Sequence, residues 1–106
     1  MSKKQIAVYS TYNPVTMMTE LILELRKLGI EIEYTFNHPN GLYLIETPKV
    51  AIQIVTSMSN IKGRQYDELF GFPLEWGAWM RRNSKEKPFK GTLIDYILQI
   101  NNKENK

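Results

Sequence analysis

From Asn13 to Gly29 the chain carries one stretch of helical periodicity, and apolar runs of strand length lie on both sides of it. Val15, Met18, Leu21, Ile22, Leu25 and Leu28 recur at the spacing of one helix face, while Glu20, Glu24, Arg26 and Lys27 fall mostly elsewhere. Asn13 can cap the first turn through its side-chain oxygen. Pro14 suits the first helical position, where its missing N–H is no loss, and Gly29 can take the left-handed conformation that stops a helix. Before this helix, Gln5–Ser10 is an apolar run that fits the centre of a sheet. After it, Ile30, Ile32, Tyr34 and Phe36 alternate with Glu31, Glu33 and Thr35, the pattern of a strand with one wet face. If both strands share a sheet, the helix between them forms a right-handed crossover.

The chain then turns at Asn37-His38-Pro39-Asn40-Gly41 and returns as Leu42–Glu46. It turns again at Thr47-Pro48-Lys49 into Val50–Thr56, an apolar strand. The first half thus reads β-α-β-β-β, closing as a meander. In the second half, Ser57–Lys62 has loop composition, and Gln65–Phe72 fits a short strand or one turn of helix. Pro73 opens a helix to about Arg82, weakened by Gly77 by about 1 kcal/mol relative to alanine. Asn83–Lys90 is a polar connection. Thr92 and Asp95 form a capping pair for a last helix, Leu93–Asn102, and the polar tail 101–106 is expected to fray. The expected architecture is one α/β (or α+β) domain over residues 1–106: a mixed sheet of about four strands, one long helix across it, and two short C-terminal helices.

Composition narrows the function. A chain of 106 residues, 42% hydrophobic and 24% charged, can bury roughly two-thirds of its unfolded surface as one domain. No run approaches the ~20 apolar residues of a membrane span. Ser2-Lys3-Lys4 leads into a strand pattern and not into the longer apolar segment of a signal peptide. The absence of cysteine removes disulfides, thiolate zinc sites and cysteine nucleophiles, so a cytoplasmic location is expected. A net charge of +3 gives weak attraction to phosphate and argues against an acidic mimic of DNA. Richness in Ile, Lys and Asn points to an AT-rich genome, that of a low-GC bacterium or one of its phages.

Few groups can converge for catalysis. The only histidine, His38, sits in a turn without the further ligands of a zinc site or a serine in a nucleophile elbow. Asp67 and Glu68 are adjacent, so their side chains diverge in strand or helix and cannot act as a paired acid and base. They read as one exposed carboxylate and one that supports a turn. A metal-dependent nuclease needs an acid followed later by an acid-x-Lys strand, and this order is missing. No catalytic residue, metal or cofactor is expected.

Ile61-Lys62-Gly63-Arg64-Gln65-Tyr66-Asp67-Glu68 resembles the loop and strand that carry the metal-binding acid in P-loop ATPases such as helicases and packaging motors. The phosphate cradle of that family is absent: Ser10-Thr11-Tyr12-Asn13-Pro14-Val15 follows the first strand where G-x-x-x-x-G-K-[ST] would stand. The resemblance therefore implies an α/β layer arrangement without ATP hydrolysis. Ser10–Asn13 does lie between a strand end and a helix start, where open α/β sheets bind ligands. A degenerate nucleotide-binding domain follows as a third reading, beside the simpler one in which Asn13 only caps the helix.

The stretch Asn60–Lys90 concentrates six aromatic residues and seven cations among glycine bends. Trp76, Trp79 and Met80 would share one helical face with Arg81 and Arg82 on its flank. That face either packs on the sheet, with the arginines reaching over its edge, or presents a contact surface. Exposed Trp and Arg dominate interface energetics, and the same pairing stacks unpaired bases. The leading expectation is a small non-enzymatic binding protein, of the accessory or inhibitory type found in phages. It would dock on a host protein or nucleoprotein through Arg64, Tyr66, Trp76, Trp79, Arg81, Arg82, Lys85 and Lys87. A nucleic-acid-binding protein using the same surface is the alternative. A homodimer through Val50–Thr56 is a further expectation, should that strand lie at a sheet edge.

Overall fold

The computed structural model describes residues 3–37, 42–56, 64–72, 80–82 and 89–103. Strand β1 is Lys4–Tyr9, helix α1 is Pro14–Lys27, and strands β2, β3 and β4 are Glu33–Asn37, Leu42–Glu46 and Val50–Val55. Strand β5, Glu68–Phe70, and helix α2, Leu93–Lys103, complete the described elements. Local chemistry accounts for the ends of both helices. Asn13 Oδ1 accepts from the N–H groups of Val15 and Thr16 at 2.8 and 3.4 Å. At the other end Gly29, at φ +76°, donates to Arg26 O while Ile30 N donates to Leu25 O, so two carbonyls of the last turn are satisfied. Thr92 and Asp95 cap α2 reciprocally: each backbone N–H donates to the other's side-chain oxygen, both at 3.1 Å.

The sheet has the order β2-β3-β4-β1-β5. β1 runs parallel to both β4 and β5, and β2, β3 and β4 form an antiparallel meander. The molecule is a mixed α+β domain with one strand more than the sequence pattern predicts. That strand is β5, so the stretch 65–72 holds a short strand at Glu68–Phe70 and not a helical turn. Its three residues pair with Ile6, Ala7 and Val8, far away in the chain, so local periodicity gives no sign of it. Val50–Thr56 is not an edge: β4 lies between β1 and β3, and the expected dimer route through it is closed. The tail expected to fray is helical through Lys103. Of the helix expected from Pro73 to Arg82, residues 73–79 lie outside the described residues, as does the turn around His38.

Both helices cover one face of the sheet. Ile6, Val8, Ile45, Val50, Ile52 and Ile54 from the strands meet Met18 and Leu25 of α1 and Leu93 and Ile97 of α2. Full burial of a side chain such as Leu25 contributes about 1.5–3 kcal/mol. Three rings pin α2 to β5, with Tyr96 centred 5.8 Å from Phe70 and 5.0 Å from Phe89. Cover is incomplete at the β2 end. Tyr34 and Phe36, expected on the inner face, are 56% and 47% exposed. Val15 of α1 and Leu28 just after it, also expected inside, are exposed as well.

The opposite face carries a smaller cluster of Ala7, Val55, Tyr66 and Met80, with Tyr9, Leu69 and Phe72 against it. Among the described residues this face is covered by Tyr66, just ahead of β5, and by Met80. Tyr66 N donates to Met80 O and Arg82 N donates to Tyr66 O, at 2.8 and 2.6 Å, a short parallel pairing just before β5.

Candidate functional site

Gln53 is the one polar side chain in the run Val50–Val55, and it stands in the middle of β4 on the face away from the helices. There it is flanked in register by Ala7 of β1 and Leu44 of β3. It is 8% exposed, so its amide needs partners inside the protein. Gln53 Oε1 accepts from the Tyr66 hydroxyl at 2.8 Å and from Arg64 Nη1 at 3.2 Å. The small side chain of Ala7 leaves room for the Tyr66 ring beside it. Burial raises the Tyr66 phenol above the ordinary 10.0, and the neighbouring Arg64 guanidinium pulls part of the way back.

Around this anchor lies an open hollow of about 360 Å³ lined by Lys3, Gln5, Gln53, Arg64, Gln65, Tyr66 and Arg82. The three cations differ in what holds them. Lys3 Nζ pairs with Glu46 at 2.7 Å. Arg82 Nη1 lies 3.5 Å from Asp67 Oδ1, and Arg82 Nη2 reaches Gln65 O at 3.5 Å. Arg64 is exposed, and its partner is the neutral amide of Gln53. Among the described residues no carboxylate pairs with Arg64, which lines the hollow.

The adjacent acids turn out to be structural. Glu68 is 5% exposed, and its Oε1 lies 3.3 Å from Arg81 Nε while its Oε2 accepts from Phe89 N. Asp67 Oδ2 accepts from Gln5 N at 2.7 Å, and Asp67 N donates back to Gln5 O at 2.8 Å. Neither carboxylate is the exposed one that the sequence suggests, because consecutive acids meet consecutive arginines. Their divergence, expected from strand geometry, sends Glu68 to Arg81 and Asp67 to Arg82.

Of the residues expected at a contact surface, the fold brings Arg64, Tyr66 and Arg82 to one hollow. Tyr66 and Arg81 are buried, so neither ring nor guanidinium lies open to a partner. Trp76, Trp79, Lys85 and Lys87 lie outside the described residues. Sequence reasoning missed Lys3, Gln5, Gln53 and Gln65. Only Gln53 carried a signal, as a lone amide in an aliphatic strand. At the β1–α1 junction Asn13 occupies two of the helix amides, and Ser10 is buried with its hydroxyl donating to Tyr12 O. Among the described residues no group of three or more His, Cys, Asp or Glu is arranged to hold a metal ion, and no helix is long and apolar enough to cross a membrane. No family model, curated protein or solved structure matches the chain.

Proposed function

We propose that the protein is a small non-enzymatic binding protein that docks on an acidic surface of a protein or nucleoprotein partner through the hollow around Arg64. The observation that carries this reading is Arg64 itself, an exposed guanidinium positioned by a neutral amide of the central sheet, with no carboxylate on it among the described residues. A guanidinium held in this way can form two parallel bonds to an incoming carboxylate. Gln65, Gln5 and Arg82 supply further donors around it. An accessory or inhibitory role of the phage type fits a chain of this size and composition. Trp76, Trp79, Lys85 and Lys87 belong to the proposal as partner-binding residues on their chemistry alone.

A second reading, nucleic-acid binding, is favoured by the meeting of Lys3, Arg64 and Arg82 in one hollow. Stacking on Tyr66 is not part of it, since that ring is buried. Capture from bacterial lysate, with and without nuclease and with Arg64→Glu alongside the wild-type chain, separates the two. Partners that survive nuclease and are lost in Arg64→Glu support protein docking. Partners lost on nuclease treatment favour the second reading, for which three phosphate contacts predict a log–log salt slope of about −2 to −3. Capture that Arg64→Glu leaves unchanged removes the hollow from both.

A further inference from the structure

β2 ends the sheet, and no described strand lies beyond it. Sheet edges are ordinarily guarded by lysine, proline, a bulge or extreme shortness. β2 has five residues, Glu33-Tyr34-Thr35-Phe36-Asn37, with neither lysine nor proline, and it pairs with β3 without interruption from Glu33↔Glu46 to Asn37↔Leu42. Its two aromatic residues are about half exposed. They line an apolar groove of about 350 Å³ with Val15, Met18, Ile22 and Leu23 of α1, and Leu23 is itself 54% exposed.

We infer that this edge pairs antiparallel with β2 of a second copy of the chain, about a two-fold axis at Thr35. The order of residues selects that occupant. With Thr35 opposite itself, all five residues of each strand are paired, Tyr34 stands opposite Phe36 of the partner, and Glu33 stands opposite Asn37. Residues directly opposite in an antiparallel pair share a face. Two aromatic pairs therefore form on the helix side, where the two apolar grooves become continuous. Register places the one charged residue of each strand, Glu33, opposite Asn37 and not opposite a second Glu33, so no like charges oppose. Slipping the register by one residue would set aromatic side chains against the wrong face, and slipping it by two would leave residues at the strand end unpaired. The strand is self-complementary, as a two-fold interface requires.

None of these residues lines the hollow around Arg64, so the pairing stands apart from the proposed docking function. The isolated chain at micromolar to submillimolar concentration, followed by light scattering after size-exclusion chromatography, should show a concentration-dependent dimer. Tyr34→Lys with Phe36→Lys places lysine opposite lysine twice and should abolish it. Tyr34→Lys with Phe36→Glu places lysine opposite glutamate twice and should restore a dimer that weakens with salt. Circular dichroism checks that both variants fold. The chain has no cysteine, so Thr35→Cys is a clean second reporter, and oxidation should link two copies because opposed strand residues lie within disulfide reach. A monomeric wild-type chain overturns the inference, as does a dimer that survives the double-lysine change. Failure of both the charge-swapped variant to dimerise and the Thr35→Cys chain to cross-link overturns the Thr35-centred register.

Discussion

The two edges of the sheet are built on opposite terms. β5 is three residues long, stops at Gly71, and is preceded by Tyr66 paired to residues 80–82. A buried ion pair, Glu68–Arg81, is set into it, and three rings brace α2 against it. β2 is longer, regular and aromatic, no described strand lies beyond it, and α1 leaves its two rings about half exposed. Beside the β5 edge the backbone groups of Tyr66 are already taken by residues 80–82. An edge lined by half-exposed rings gains from being covered. The difference teaches that association of this molecule is directed by which edge was left plain, and that the stability of the other edge rests on polar pairs.

The comparison breaks most sharply at Glu68. Glu68→Ala should cost about 3–5 kcal/mol in chemical denaturation, because it removes the carboxylate that faces the Arg81 guanidinium in a site where both side chains are 7% exposed, and with it the acceptor of Phe89 N. A loss well under that would mean that the β5 edge does not depend on its ion pair. Next comes Gly71, at φ +79°, where an added Cβ would sit 3.1 Å from Tyr9 O. Gly71→Ala should lower stability by about 1–3 kcal/mol through strain in the left-handed region. Tyr66→Phe, which removes one of the two donors to Gln53, should cost about 1 kcal/mol.

The same residue gives a pH signature. Burial raises the Tyr66 phenol, so the folded state favours its neutral form. The sign follows: that contribution is complete below pH 10.0, the ordinary tyrosine value, and is lost as pH climbs through the raised folded value. Alkaline unfolding followed by circular dichroism should therefore be shallower in Tyr66→Phe than in the wild-type chain. What remains includes exposed Tyr12, whose phenol is raised chiefly by its hydrogen bond to Glu20. The smallest effect belongs to the plain edge. Tyr34→Lys should change the stability of the dilute monomer by no more than about 0.5 kcal/mol, as an exposed substitution does. A larger loss would show that β2 is already engaged in holding the fold.

Legibility in the sequence followed the range of each interaction. Asn13, Gly29 and the Thr92–Asp95 pair act on neighbours within a few residues, so the ends of α1 and the start of α2 could be read directly. β1, β3 and β4 showed as short apolar or alternating runs. Strand order was not legible, since nothing within Val50–Val55 tells whether it lies at an edge or between two neighbours. Arg81 looks like a surface cation in the sequence because charge usually seeks water, and Glu68 beside it helps make its burial tolerable. For the hollow, Arg64, Tyr66 and Arg82 were picked by residue type. Gln53, which joins two of them, was passed over because its partners arrive only when the chain crosses from β4 to β5.

That crossing has a consequence in time. β1 emerges before the other described strands, yet it is the strand with parallel neighbours on both sides, and those neighbours begin only at Val50 and Glu68. Until then Ile6, Ala7 and Val8 have no ladder to join, while the β2-β3-β4 meander can zip locally. The nascent chain therefore carries the apolar stretch Ile6–Val8 without its neighbours until Val50–Val55 and Glu68–Phe70 have followed, and the sheet closes only when those later segments enclose it.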